Sequence, residues 1–380
     1  MFEEYLPIFF LVLFGAITFI ELVYYYVVFA RFSFMKKKKA VAIQQVPVSV
    51  VMVVKDAASV LLKTLPRLLN QQYDDFEIVM VNDNSQDETK LLILEYQQQY
   101  KNIKIVDLET AVTTIRGKKF ALSMGIRCAS HEHIIITDPE CSPTSTHWIE
   151  RMAQNFVGQK KIVLGYSTYE KRNNPFNRLL HFDTLFNAME YFSLARIHST
   201  YRGDNKNLAF VSSLFDAQRG FAAHNHISYG DEDIFISRAA NKNNTAIEFA
   251  PEATTVLQRG TNHRYWRDHK EGLYFTRKYN TLKNRLLLNG FGVVNFLFYV
   301  TLALAVIFTY SDIVLLSVTL GIIALRLISQ YFVFGFAAKK LQEKQVIPAL
   351  LLYDLIFAFL NPIYYLAAQL HHERFSSSTR

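Results

Sequence analysis

Leu6 to Ala30 reads LPIFFLVLFGAITFIELVYYYVVFA, with Glu21 as its only charge. About 20 apolar residues, each adding about 1.5 Å of helix, cover the hydrocarbon core of a bilayer, so this run predicts a membrane-spanning helix. A cleaved signal peptide carries its positive charge ahead of a shorter apolar core; here MFEEY is acidic, and the basic residues Arg31 and Lys36 to Lys39 follow the run. The chain turns apolar again from Phe291 to Tyr310, from Ile313 to Phe334 and from Ile347 to Leu370, which predicts two or three further spans. The last run holds Asp354, Pro348 and Pro362, so an interfacial or re-entrant segment stays open as its alternative. Lys278, Lys283 and Arg285 precede the second span, and Lys339, Lys340 and Lys344 follow the third. Lysine and arginine accumulate in cytoplasmic loops, which orients residue 31 onward and both of these flanks to the cytoplasm.

This divides the chain into an N-terminal anchor with a basic juxtamembrane segment (1–45), a cytoplasmic domain (46–285) and a C-terminal membrane region (286–380). Charged residues make up 19% of the chain and hydrophobic ones 51%, which excludes a disordered polypeptide. The net charge of +8 comes largely from basic residues beside the apolar runs. A membrane lipid surface is therefore the expected anionic partner, and no nucleic acid is expected. Cys128 and Cys141 form no CxxC pair, which argues against a disulfide scaffold or a thiolate zinc site. Glu21, Arg326 and Asp354 fall at membrane depth, where ionisable groups mark either a pathway or an interhelical ion pair.

Between the spans, periodicity alternates. Val46 to Val54 is a short, nearly continuous β-branched run, as a strand buried on both faces requires. A helical pattern over 58–71 follows, then a strand at Phe76 to Val81, a helix at Asp87 to Tyr100, a strand at Ile103 to Val106, a helix at Lys118 to Ala129 and a strand at His133 to Thr137. Strand–helix alternation predicts an α/β fold with a Rossmann-like, mostly parallel sheet, whose ligands bind outside the carboxyl ends of the strands. Asp56 follows the first strand, Asp83 the second, and Asp138 with Glu140 the fourth. Neither GxGxxG nor GxxxxGK[ST] occurs, so a nicotinamide site and a P-loop lack support.

Asp138 and Glu140 place two carboxylates two residues apart just past a buried strand. Mg²⁺ or Mn²⁺ takes oxygen ligands from one or two such carboxylates and completes its shell with water and substrate phosphates. A solvated loop with Asp138 capping the helix near Trp148 is the alternative. His224 and His226 lack a third ligand of zinc spacing.

The succession VSVVMVVKDA, VMVNDNSQDET, RGKKFALSMGI, TDPEC, GDED and Trp266-Arg267 resembles a family 2 glycosyltransferase with the GT-A fold, of the membrane-anchored bacterial type. The resemblance covers the whole cytoplasmic domain. It implies that Asp56 and Asp83 contact the base and ribose of a nucleotide sugar, and that Lys118, after Gly117, lies beside the nucleotide or its diphosphate. Asp138 and Glu140 match the metal-binding DxD pair, with glutamate in place of the usual second aspartate. Asp231, Glu232 and Asp233 match the acidic motif that supplies a general base toward the acceptor hydroxyl. The common ED pair assigns the base to Asp233, a GDD alignment to Glu232, and an acidic helix N-terminus is the structural alternative. Tyr201 to Phe210 resembles a GxGRNLAY segment, with Asp204 to Lys206 departing from it, and Gly220, Phe221 and His224 resemble a GGFxxH loop. Gln258 to Arg267 lies where processive members carry QxxRW, but Gln258 and Trp266 are too far apart for it. Arg264, Trp266 and Arg267 suit a guanidinium on a departing diphosphate and an indole face for a sugar; an amphipathic interface helix fits the same residues.

The expected activity is inverting transfer from a nucleoside diphosphate sugar, with Mg²⁺ or Mn²⁺, to a lipid-linked or glycan acceptor. The expected setting is the cytoplasmic face of a bacterial inner membrane, in cell-envelope polysaccharide synthesis. The alternatives are a processive polysaccharide synthase, a nucleotidyltransferase and a catalytically dead, membrane-anchored nucleotide-sugar-binding protein.

Overall fold

The computed structural model describes residues 2–36, 45–108, 118–222, 227, 229–258 and 262–370, without the side chains of 2–4 and 231. Lys37 to Lys39, Gly117, His224, His226, the Asp231 side chain and the HHERFSSSTR tail therefore lie outside the described residues. The chain forms two compact units: 1–36, 181–197 and 263–372 make one, and 37–180, 198–262 and 373–380 make the other.

The second unit is the α/β part. Its strands are β1 (Val48–Val54), β2 (Phe76–Asn82), β3 (Ile103–Asp107), β4 (His133–Ile136), β5 (Cys141–Pro143), β6 (Ile162–Leu164), β7 (Ser167–Tyr169), β8 (Leu208–Val211), β9 (Thr245–Ile247) and β10 (Thr255–Leu257). Seven of them form one sheet in the order β3-β2-β1-β4-β8-β6-β9, and β5-β10-β7 form a small second sheet. β1, β2, β3 and β4 run parallel, with Val48 beside Phe76 on one side and beside His133 on the other. β8 alone is antiparallel to its neighbours β4 and β6.

Helices cover both faces of the sheet. In Ala58–Leu69 the buried positions Leu61, Leu65 and Leu68 recur at helical spacing and pack with Val48, Val50, Met52 and Trp148. On the opposite face the Lys118–Cys128 helix approaches so closely that a Cβ on Gly125 would lie 2.6 Å from Val81 and 2.7 Å from Val51. β1 is thus buried on both faces, as its nearly continuous apolar sequence requires.

The first unit is helical. Among the described residues four helices are long and apolar enough to cross a membrane: Tyr5–Ser33, Leu282–Thr309, Ile313–Lys340 and Lys344–Leu370. The first passes through a π-helical turn at Tyr24–Phe29, and the last is continuous from Leu350 to Leu370 despite Pro362. Phe9, Phe19, Ile313, Ile328 and Leu366 are exposed on these helices, as side chains facing lipid would be. Asp312 caps the third helix by accepting from the amides of Val314 and Leu315. The helix His263–Thr276 groups with this unit, as do residues His181–Ile197.

Candidate active site

The sheet topology brings separate loops to one rim. Because β8 runs antiparallel to β4, Leu208 at its start sits opposite Ile136 at the end of β4. The Tyr201–Asn207 loop that feeds β8 therefore arrives where Asp138 and Glu140 leave β4. Leu164 of β6 also pairs with Leu208, which brings Gly165 to the same edge.

Asn207 ties this edge together. Its side-chain amide donates to the carbonyls of Tyr166 (2.8 Å) and Ala253 (2.7 Å) and accepts from the Trp148 indole N–H (3.1 Å), all buried. Its own carbonyl accepts from the Gly165 amide at 2.9 Å. A side chain at 165 would collide, since a Cβ there would lie 2.5 Å from the Asn207 amide carbon. The next carbonyl upstream, that of Lys206, accepts from the hydroxyls of Thr137 at 3.1 Å and Thr255 at 3.2 Å. The loop carrying Arg202, Asp204 and Lys206 is thereby fixed against the ends of β4 and β10.

The Asp138–Glu140 turn is held as firmly. Asp138 Oδ1 accepts from the Glu140 amide at 3.0 Å, the Pro139 carbonyl accepts from Thr64 Oγ1 at 2.8 Å, and the Glu140 carbonyl accepts from the Gln258 amide at 2.9 Å. Asp138 and Glu140 are both half-buried. Asp204, Lys206, Asp138 and Glu140 all act on buried Cys141, whose thiol burial pushes far above its ordinary value. Two hard carboxylates on one rigid turn fit Mg²⁺ or Mn²⁺, which needs few protein ligands. Among the described residues no group of three metal-ligating side chains occurs.

Gly230, at φ 75°, adopts the left-handed turn that starts the helix Asp231–Ala239 and sets Glu232 and Asp233 in its first turn. Asp233 Oδ1 lies 3.6 Å from Arg202 Nε, with side-chain exposures of 13% and 9%. Burial pushes the Asp233 carboxyl up to about 6. Arg202 opposes that push most, Glu232 and Asp204 add to it, and Lys206 opposes it. Glu232 is more deeply buried, at 5% exposure. Asp204 and Lys206 are thus common neighbours of the Asp138–Glu140 turn and of Asp233.

The loops after β1 and β2 are stitched to each other. Asp56, at φ 47°, accepts from the Gln86 amide at 2.7 Å while its own amide donates to Ser85 Oγ at 3.1 Å. The Asp83 amide donates to the Val54 carbonyl at 2.9 Å. Asp56 is exposed and Asp83 half-buried. Lys118 is exposed at the start of its helix, and the ammonium of the following Lys119 donates to the Ile227 carbonyl.

Arg264, Trp266 and Arg267 belong to the helical unit. Trp266 does not present an indole face: it is 2% exposed, packs edge-on to Phe357 and Tyr364, and donates its N–H to Asp183 Oδ2 at 2.8 Å. Arg267 pairs with Asp268 at 3.2 Å, and Arg264 is exposed. Sequence reasoning assigned no role to Arg202, Asp204, Lys206, Asn207 or Asp183. The resemblance of Tyr201 to Phe210 to a GxGRNLAY segment placed the first four in the expected site without roles, and nothing in the sequence marked Asp183.

The sequence profile of Glycosyl transferase family 2 matches residues 49–216. A poly-beta-1,6-N-acetyl-D-glucosamine synthase of Staphylococcus epidermidis is 38% identical over 77 residues, 20% of this chain and 18% of that protein. A probable glycosyltransferase of Bacillus subtilis, YdaM, is 31% identical over 126 residues, 33% of this chain and 27% of that protein. The chain thus matches less than a third of the length of either relative. Among solved structures, a mannosyltransferase from Pyrobaculum calidifontis in complex with GDP-Man and Mn²⁺ aligns with TM-score 0.55 and 15% identity, over 92% of this chain and 98% of that one. That likeness shows a shared fold, the GT-A arrangement of a mostly parallel sheet. The similarity to glycosyl transferase family 2 thus lies in the domain at residues 49–216.

Proposed function

We propose that the chain is an inverting glycosyltransferase that moves a sugar from a nucleoside diphosphate sugar to a lipid-linked or glycan acceptor at the cytoplasmic face of the membrane. The observation that carries this reading is Asp233. It is a nearly buried carboxylate beside Arg202 whose carboxyl is pushed up to about 6, which is where a general base for a hydroxyl is useful. In this reading Asp233 accepts the acceptor proton as the hydroxyl oxygen attacks the anomeric carbon, and the nucleoside diphosphate leaves from the opposite face. Asp56 and Asp83 hold the base and ribose, and Lys118 lies beside the nucleotide or its diphosphate. Asp138 and Glu140 would hold a divalent cation, which supplies charge neutralisation of the diphosphate when bound. Positive charge fixed near that leaving group gives the largest electrostatic benefit, and Lys206 lies in the same charge field as Asp138.

The relatives support the class: a polysaccharide synthase matches over part of the chain, and the structural neighbour was solved with a nucleotide sugar and Mn²⁺. The synthase match also favours a second reading, processive polymer extension, against which the absent QxxRW spacing counts. Product length separates the two readings. The primary test is metal-dependent release of nucleoside diphosphate from a panel of nucleotide sugars by the full-length protein in detergent. Asp233→Asn is expected to keep donor binding and to lower transfer about 10²–10⁴-fold. Transfer at the parental rate would remove Asp233 as the base.

A further inference from the structure

We infer that Arg202 is a positioning residue for Asp233, holding its carboxylate in one orientation and in the ionised form while the acceptor covers it; this rests on Asp233 being the base. The geometry carries the inference. Arg202 Nε lies 3.6 Å from Asp233 Oδ1, and both side chains are nearly buried. The guanidinium projects from a loop that is itself fixed, through the buried amide of Asn207 and the Lys206 carbonyl held by two threonine hydroxyls. Asp233 sits in the first turn of its own helix. The backbones that carry the two partners are therefore held by the fold.

The groups around Asp233 make such a cation necessary. Glu232 on its own helix and Asp204 on the facing loop both disfavour its charge. Lys206 favours it but lies 3.4 Å from Asp204 Oδ1, so its charge is shared. An acceptor arriving over Asp233 would remove more water and penalise the ionised base further. A guanidinium keeps its charge across the working pH range, so Arg202 offsets that penalty when it is largest. The wider GxGRNLAY resemblance places no role on position 202. The assignment comes from the distance, the burial and the charges around Asp233.

The test is the pH profile of kcat/KM for the full-length protein and its Arg202→Gln and Arg202→Lys variants, with one nucleotide sugar donor. Arg202→Gln is expected to move the acid limb upward by about one pH unit, with activity recovering toward the parental level at high pH. Arg202→Lys, which keeps a charge but not the planar fork, is expected to give a midpoint between the two. Uniform loss of rate at every pH, with the midpoint unmoved in both variants, would mean a purely structural role and would overturn the inference. Should Arg202→Gln not fold, Arg202→Lys decides alone: a displaced midpoint supports the inference and a superimposed profile overturns it. Asp233→Asn keeps the two ideas apart. Retained transfer in that variant removes the base itself, whereas an inactive Asp233→Asn together with an unmoved Arg202→Gln limb removes only the role of Arg202.

Discussion

Asp233 sets the pH behaviour of the proposed reaction. Its carboxyl, pushed up to about 6 chiefly by burial, must be ionised to accept a proton. kcat/KM is therefore expected to fall as pH drops through about 6, and a profile flat down to pH 5 would place the base elsewhere. The same shift has a stability side with a definite sign. A carboxyl raised above its unfolded value favours the protonated fold; that contribution is complete below the unfolded value near 4 and is lost as pH rises through about 6. At neutral pH the charged Asp233 is thus a stability cost, which the proposed role as base accounts for. Asp233→Asn is expected to melt a few degrees above the parent at pH 7.5, at about 2–4 °C per kcal/mol for a domain of this size. A lower melting temperature would mean that the lost Arg202 contact outweighs the relieved desolvation. At this scale the acids were legible in the sequence because Asp138, Glu140 and Asp233 stand in acidic runs at predicted element ends. Arg202 and Asn207 were legible only as members of a GxGRNLAY-like segment without a role, since what each does depends on partners remote in sequence, such as Asp233 and Tyr166.

Among the elements, the parallel half of the sheet could be read directly. Strands buried on both faces need nearly continuous apolar runs, and Val50–Val54, Ile78–Val81 and Ile134–Ile136 of β1, β2 and β4 supply them. The three-residue strands β5, β6, β7, β9 and β10 are too short for any period to register, yet they bring Gln258 and Gly165 to the rim. Their junction depends on Asn207, whose amide fills two buried carbonyls and one indole N–H. Asn207→Ala takes their Asn207 bond from the Ala253 carbonyl and the Trp148 indole N–H, at about 1–3 kcal/mol for each buried group so stranded, while the Tyr166 carbonyl keeps the Thr255 amide at 3.2 Å. The expected result is a marked fall in melting temperature and in donor affinity together. Loss of neither would show that water replaces the amide. Gly125 makes the matching prediction on the other face of the sheet. Ala there meets Val81 and Val51 inside 3 Å, and overpacking of this kind costs about 1–3 kcal/mol, read as a lower midpoint in thermal unfolding.

Across the molecule as a whole, the four apolar helices were legible from hydropathy, but the grouping of 263–276 with them was not. That helix reads as polar because it carries Arg264, Arg267, Asp268, Lys270 and Glu271. Hydropathy cannot register that Lys270 is buried against Asp183 at 2.7 Å, or that Arg277 beyond it pairs with Glu190 at 3.0 Å. The same logic of burial by pairing operates among the apolar helices. Arg326 is fully buried and its guanidinium reaches Glu21 at 2.7 Å, Asp354 at 2.6 Å and Gln330 at 2.6 Å. Tyr25 donates to Glu21 at 2.7 Å and Tyr299 to Asp354 at 2.6 Å, so all four helices contribute to one polar knot. Removing one member of such a knot costs about 3–5 kcal/mol, whereas replacing the whole set with neutral groups is often close to neutral. Arg326→Met alone is therefore expected to lower the yield of monodisperse protein in mild detergent and its melting temperature. The triple variant Glu21→Gln, Arg326→Met, Asp354→Asn is expected to recover most of both. If Arg326→Met were as stable as the parent, the ion pairs would not be what joins the N-terminal helix to the three C-terminal ones, and aromatic contacts such as Phe14 with Phe298 would have to suffice. If the triple variant instead failed to recover, the charges would be required for more than packing, which returns Arg326 and its two carboxylates to consideration as a functional group within the membrane.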